Sequence, residues 1–222
     1  MKRHLVTASL LLAAGASQAY VLDFGNGPNP PSICSSSDIQ GLGATAACND
    51  SLYVLQSYGD VAGVVDVGYQ QPLYTDSRSL RWWDTNYNDL YGVLWADGGD
   101  GPGSHGRIEL KPLSGSAVTL THFDMGAWSN NTLGTKVNVY EIGSSTPLFT
   151  YVGKVGAGLE HASFNVSVSS TKGLWLDWQD SAYNVGMDNV TFTVGAVPEP
   201  STYVMLLAGL AVCGAIARKR RA

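Results

Sequence analysis

The sequence predicts an all-β fold: a single antiparallel β-sandwich or jelly roll at residues 20–196, framed by two targeting segments. Three observations carry this. Apolar and polar residues alternate over short runs bounded by Gly, Pro, Asn and Asp, which is the period of half-buried strands. No long helical pattern interrupts those runs. About ten short strands in roughly 180 residues suit two packed sheets around one core.

In chain order, Met1-Lys2-Arg3-His4 is basic and Leu5 to Ala16 is apolar, and Ala16-Ser17-Gln18-Ala19 places small residues at both specificity positions of a signal-peptidase site. Residues 1–19 therefore read as a signal peptide, handled by the secretion machinery and cut by signal peptidase to leave Tyr20 first. Expected strands are Tyr20–Phe24, Leu52–Gln56, Ala62–Tyr69, Tyr91–Trp95, Arg107–Leu110 and Ala117–Phe123. Further on come Lys136–Ile142, Leu148–Val152, Ala162–Val168, Leu174–Trp178 and Val190–Val194. Val137 and Val139 alternate with Asn138 and Tyr140, and Phe164, Val166 and Val168 with Ser163, Asn165 and Ser167. That alternation expects one buried and one wet face. The irregular stretches at residues 25–49, 72–88 and 96–106 are where an all-β scaffold carries function.

Cys34 and Cys48 lie in the first of these stretches. A bridge between them suits an exported chain and contributes roughly 3 kcal/mol in the chain-entropy model. Free thiols are the alternative, as is a metal pair, which lacks further Cys or His nearby.

The chain closes with Pro198-Glu199-Pro200, a 16-residue apolar run from Thr202 to Ala217, and the basic tail Arg218-Lys219-Arg220-Arg221. As a helix the run spans about 24 Å, short for a hydrocarbon layer of about 30 Å. Flanking residues and local thinning close the gap, so 202–217 is expected as one C-terminal transmembrane helix. The basic tail stops transfer on the cytoplasmic side. Proline cannot extend the helix backwards, which leaves Pro198-Glu199-Pro200 extended and accessible.

This three-part ending, residues 197–222, closely resembles the PEP-CTERM sorting signal of Gram-negative bacteria. Pro198-Glu199-Pro200 matches its motif, Leu206-Leu207-Ala208-Gly209-Leu210 its helix, and Arg218 to Arg221 its basic end. The resemblance implies recognition by an exosortase. The precursor would be held in the inner membrane, then trimmed and passed to the cell surface or extracellular matrix, commonly alongside exopolysaccharide production. A second, shorter resemblance lies in Gly186-Met187-Asp188-Asn189-Val190-Thr191-Phe192, which is similar to the closing strand of galactose-binding-like jelly rolls. It implies a carbohydrate-binding-module-like fold, with Val21-Leu22-Asp23-Phe24 as the partnering first strand.

Between residues 20 and 197 there are 17 Asp and Glu, 14 of them Asp, against 7 Lys and Arg, a net of −10. Such a surface repels nucleic acid and anionic lipid and suits neutral polymers or divalent cations. Of the six Trp, Trp82-Trp83 and Trp128 lie in polar loop-like sequence. They are the candidates for stacking on sugar rings, with one of the Trp82-Trp83 pair expected to be buried. Trp95, Trp175 and Trp178 sit in strand-like runs and read as core. Asp84, Asn86 and Asn88 alternate as oxygen ligands do in calcium loops, and Asp97 and Asp100 could add to them. Asp23 or Asp188 could join if the termini meet. Turn chemistry explains the same residues.

Catalytic signals are poor. Glu109, Glu141 and Glu160 are unpaired in spacing, the His residues are scattered, and no nucleophile motif occurs. The sequence thus reads as an exported, exosortase-sorted surface or matrix protein that associates with extracellular polysaccharide without catalysis. A purely structural surface or biofilm protein is the alternative, and a polysaccharide-active enzyme the third reading.

Overall fold

The computed structural model describes residues 17–197 except 26, 28 and 114, together with 208–211 and 213. Two antiparallel sheets face each other, as the alternation predicts. The strands are β1 (Gln18–Leu22), β2 (Cys34–Ser35), β3 (Thr45–Ala46), β4 (Val65–Gln70), β5 (Arg81–Trp83), β6 (Val93–Trp95) and β7 (His105–Pro112). They continue with β8 (Ser116–Ala127), β9 (Leu133–Glu141), β10 (Pro147–Val155), β11 (Ala162–Ser170), β12 (Leu174–Gln179) and β13 (Val185–Ala196). The first sheet runs β11-β8-β13-β6-β5, with β1 also on β13; the second runs β10-β9-β12-β7-β4; β2 and β3 form a small hairpin.

The inward faces follow the sequence period. Val137 and Val139 are fully buried while Ser163 and Ser167 are exposed. Trp178, Tyr69, Phe24, Phe123 and Phe192 fill the space between the sheets. The two ends of the domain meet: Val21 pairs with Thr191 and Leu22 with Val190, and the Phe24 amide donates to Asp188 Oδ1 at 3.0 Å. β1 begins at Gln18, two residues ahead of the mature start expected at Tyr20.

Cys34 and Cys48 are joined by a disulfide with Cα atoms 5.0 Å apart. It ties β2 to the irregular segment that leads out of β3. Residues 52–56 form no named strand; Tyr53 and Val54 make only isolated bridges to Arg81 and Cys34. Conversely, the stretch expected to be irregular contains β5.

Residues 1–16, the Pro198-Glu199-Pro200 motif and Arg218 to Arg221 lie outside the described residues. Residues 208–211 and 213 are helical, and among the described residues no helix is long and apolar enough to cross a membrane.

Candidate functional site

Three chain segments meet at one end of the sandwich, the β5–β6 hairpin and two turns. β5 ends in Trp83 and β6 in Trp95; the turn between them carries Tyr87. The β8–β9 turn supplies Trp128, and the β12–β13 turn supplies Tyr183 and Asn184. Together they line an open hollow of about 130 Å³. That is well below the usual several hundred Å³ of an enclosed small-molecule pocket. Its walls stand nearly perpendicular. Trp83 and Trp128 have centroids 4.8 Å apart at 81°, and Trp95 and Tyr183 are 5.2 Å apart at 89°. Edge-to-face packing of this kind holds the rings to each other.

Polar contacts fix the wall. The Tyr87 hydroxyl donates to the Tyr183 carbonyl at 3.2 Å, and burial pushes its phenol well above the usual range. The Trp128 amide donates to the Asn184 carbonyl at 2.7 Å. Asn184 Nδ2 donates to Asp100 Oδ1 at 2.6 Å. Asn88 is buried and spends its whole carboxamide on the scaffold. Its Oδ1 accepts from the Ala127 amide at 2.6 Å, and its Nδ2 donates to the carbonyls of Gly158 and Asn131 at 2.8 and 3.2 Å.

Two glycines give the Tyr87 turn its seat. A Cβ at Gly126 of β8 would collide with the Tyr87 carbonyl, and one at Gly186 of β13 would stand 2.5 Å from a Val93 methyl and 3.0 Å from the Tyr87 ring. The turn itself needs left-handed backbone: φ is 69° at Asn86 and 58° at Asn88, and the facing turn has 59° at Ser129 and 53° at Asn130. Asn accepts this conformation more readily than other non-glycine residues.

Of the Trp residues singled out from sequence, Trp83 and Trp128 meet in the hollow. Trp82 does not, and this corrects its candidacy for stacking. It is 3% exposed, and its indole N–H donates to the Phe24 carbonyl at 2.7 Å in the core. Trp178 and Trp95 are buried as expected, Trp95 also lining the hollow, whereas Trp175 departs. Trp175 lies on the outer face of the second sheet, half-buried, with the Arg107 guanidinium 4.1 Å over its ring and its N–H on Glu109 Oε2 at 2.6 Å. Trp175 and Trp178 are three apart, so in a strand they must face opposite ways. That signal was present in the sequence.

The candidate calcium oxygens do not converge. Asp97 is paired with Arg81 and Arg78, Asn88 is spent as described, Asp100 holds Asn184, and Asp84 Oδ1 accepts from Thr85 Oγ1 at 3.0 Å. Asn86 stands on the outer side of its turn. Turn chemistry and ion pairing use these groups, so the calcium set expected from their alternation is not assembled. Among the described residues no group of three or more His, Cys, Asp or Glu side chains could hold a metal ion.

The sheet register brings together two histidines that looked scattered. On the outer face of the first sheet, His122 Nε2 lies 3.0 Å from Asp124 Oδ1, and His161 Nδ1 lies 2.7 Å from Asp89 Oδ1. Ser163 Oγ donates to Asp124 Oδ1 at 2.6 Å and stands 3.1 Å from His161 Nε2. His161 thereby ties the Tyr87 turn to β11. No local motif announces this cluster, because Asp124 meets Ser163 only through pairing of β8 with β11.

Residues 196–221 match the model of the PEP-CTERM protein-sorting motif. That motif implies an exported protein processed by an exosortase. No curated protein is significantly similar to the chain. Among solved structures it is similar to a CBM4 structure at 13% identity, over 59% of this chain and 83% of that one, with a TM-score of 0.31. A family 35 carbohydrate-binding module from Clostridium thermocellum is 12% identical over 60% and 93%, with a TM-score of 0.33. The exo-beta-1,3-galactanase of Phanerochaete chrysosporium, in a structure with galactose, is 11% identical over 68% of this chain and 30% of that one, with a TM-score of 0.32. The chain spans under a third of the galactanase. Similarity at this level says nothing of ligand or activity.

Proposed function

We propose that the domain is a non-catalytic module that holds extracellular polysaccharide at the surface of a Gram-negative cell. The carrying observation is the convergence of Trp83, Tyr87, Trp95, Trp128 and Tyr183, from three separate segments, on one open hollow. Tyr87 and Trp95 are themselves buried, Tyr87 in a small core of its own with Leu90 and Val93, so the rings a ligand can reach are Trp83, Trp128 and Tyr183. Sugar rings present apolar C–H faces that stack on such planes, and the Asn184 amide is the polar side chain in the lining. The acid excess of the domain suits a neutral polymer better than an acidic one.

Delivery comes before binding. The precursor is held in the inner membrane by residues 202–217, with Arg218 to Arg221 on the cytoplasmic side. An exosortase then acts at Pro198-Glu199-Pro200. Signal peptidase has by then released the N-terminus.

The reading is tested by retention of the purified domain on extracellular polysaccharide from the producing cell. Trp83→Ala should weaken retention by about 1–2 kcal/mol, the effect of losing one stacked ring. Unchanged retention, with the fold intact by circular dichroism, would favour a structural surface protein without a specific ligand.

A further inference from the structure

Beyond the wall formed by Tyr87 and Trp128 lies a second depression, of about 310 Å³. Asn86, Asn88, Asp89, Tyr91, Asn130 and Leu159 are among its lining. The two hollows share their walls. Tyr87 points into the aromatic hollow while its chain neighbours Asn86 and Asn88 line the other; Trp128 likewise serves the first and Asn130 the second. The Tyr87–Trp128 backbone bridge runs between them.

Three properties set this depression apart from an ordinary loop crevice. Tyr91 and Leu159 are 49% and 69% exposed, so an aromatic ring and an aliphatic side chain present open surface beside amides. Asn130 Oδ1 is a buried acceptor that no donor among the described residues reaches, and an unpaired buried acceptor is costly. Finally, the four left-handed residues Asn86, Asn88, Ser129 and Asn130 are half of the eight non-glycine residues with positive φ among those described. Backbone held this way clusters where a ligand is clamped. A ring face, an orphan acceptor and rigid amides together are the chemistry that recognises a sugar carrying free hydroxyls.

We infer that the second depression is a sugar subsite contiguous with the aromatic hollow, so that the domain reads a chain of at least two sugar residues. One ring stacks in the aromatic hollow. Its neighbour lies on Tyr91 and Leu159 and donates a hydroxyl hydrogen bond to Asn130 Oδ1. This rests on the polysaccharide reading above and specifies it: the ligand is an internal stretch of polymer, not a single terminal sugar.

The test is calorimetric titration of the full domain with oligosaccharides from partial acid hydrolysis of the producing cell's extracellular polysaccharide, separated by length. Affinity should rise about tenfold from one sugar to two or three and then level, since each ring adds about one stacking contact. Tyr91→Ala should lower trimer affinity about fivefold and leave single-sugar affinity unchanged. Asn130→Gly keeps the left-handed backbone, removes the acceptor, and should lower trimer affinity about threefold. Trp128→Ala should weaken both lengths. Equal affinity for one and three sugars, or trimer binding untouched by Tyr91→Ala and Asn130→Gly but weakened by Trp128→Ala, would overturn the second subsite and keep the first. Absence of binding at every length would overturn the polysaccharide reading and the subsite with it.

Discussion

Two regions of this molecule put tryptophan at the surface, and they differ in what already occupies the ring. On the second sheet, Trp175 is covered by Arg107 at 4.1 Å and tethered to Glu109. Beneath it Arg107 grips the buried Asp177 at 2.7 Å, and His105 approaches the same carboxylate at 3.0 Å. At the loop end, Trp83 and Trp128 pack on each other and on Tyr87, Leu90 and Val93, and among the described residues no guanidinium lines their hollow. One cation does approach that end: Arg81, paired with Asp97 and stacked on Tyr53 at 4.1 Å, also lies 5.6 Å over the ring of Trp95, leaving Trp83 and Trp128 as the rings without a cation. Partial exposure of a tryptophan is therefore a poor guide to binding. The better question is whether its polar partners and ring faces are already taken.

The largest expected effect separates stability from binding. Burial pushes the Asp177 carboxyl up, but Arg107 and His105 outweigh burial and hold it below the usual carboxylate range. Asp177→Ala leaves a partly buried Arg107 without its anion. It should cost about 3 kcal/mol, lowering Tm by roughly 6–12 °C, with retention per folded molecule unchanged. A mild Tm change would show that the second sheet does not depend on this pair.

A contrasting carboxylate gives a pH signature. Asp188 is 2% exposed, and burial, aided by Asp23 and Asp124, pushes it up to about 8. Because the folded value lies above the ordinary value near 4, the contribution is complete below about pH 4 and is lost as pH rises through about 8. Tm of the wild type should therefore fall relative to that of Asp188→Asn between these limits. Parallel curves for the two proteins would remove the protonated carboxyl from the account. Asp177, whose value is lowered, has the opposite sign and loses its contribution as pH falls below the ordinary range.

Smaller again is Gly126→Ala. The added methyl meets the Tyr87 carbonyl, so the turn must lift from β8. A cost of about 1–3 kcal/mol is expected. Retention should fall with it, because Tyr87 and Trp83 leave Trp128. Lost stability with intact retention would mean the hollow does not need its glycine seat.

How much of this was legible in the sequence follows from range of interaction. The strands at residues 105–112, 116–127 and 133–141 announce themselves because their period of two is long enough to count. Arg81–Trp83 alternates correctly, half-buried, buried, half-buried, but three residues give no countable period. Tyr53 and Val54 have strand-like sequence and find only single bridges, since the disulfide hairpin and β5 take their two sides. The Cys34–Cys48 bridge was readable from composition and context. The hollow was half readable: Trp83 and Trp128 stand in polar loops, whereas Trp95 and Tyr183 join them only through the order of β6 and β13 in the sheet. The alternating Asp84, Asn86 and Asn88 read two ways because turns and metal loops favour the same oxygen-bearing side chains.

The central claim is that open rings bind and occupied rings do not. Retention on the producing cell's extracellular polysaccharide, measured side by side for Trp128→Ala and Trp175→Ala, tests it most directly. The account predicts about a tenfold loss for Trp128→Ala and less than a twofold change for Trp175→Ala, both variants remaining folded by circular dichroism. Equal losses, or a loss confined to Trp175→Ala, would contradict it and move the binding face to the second sheet.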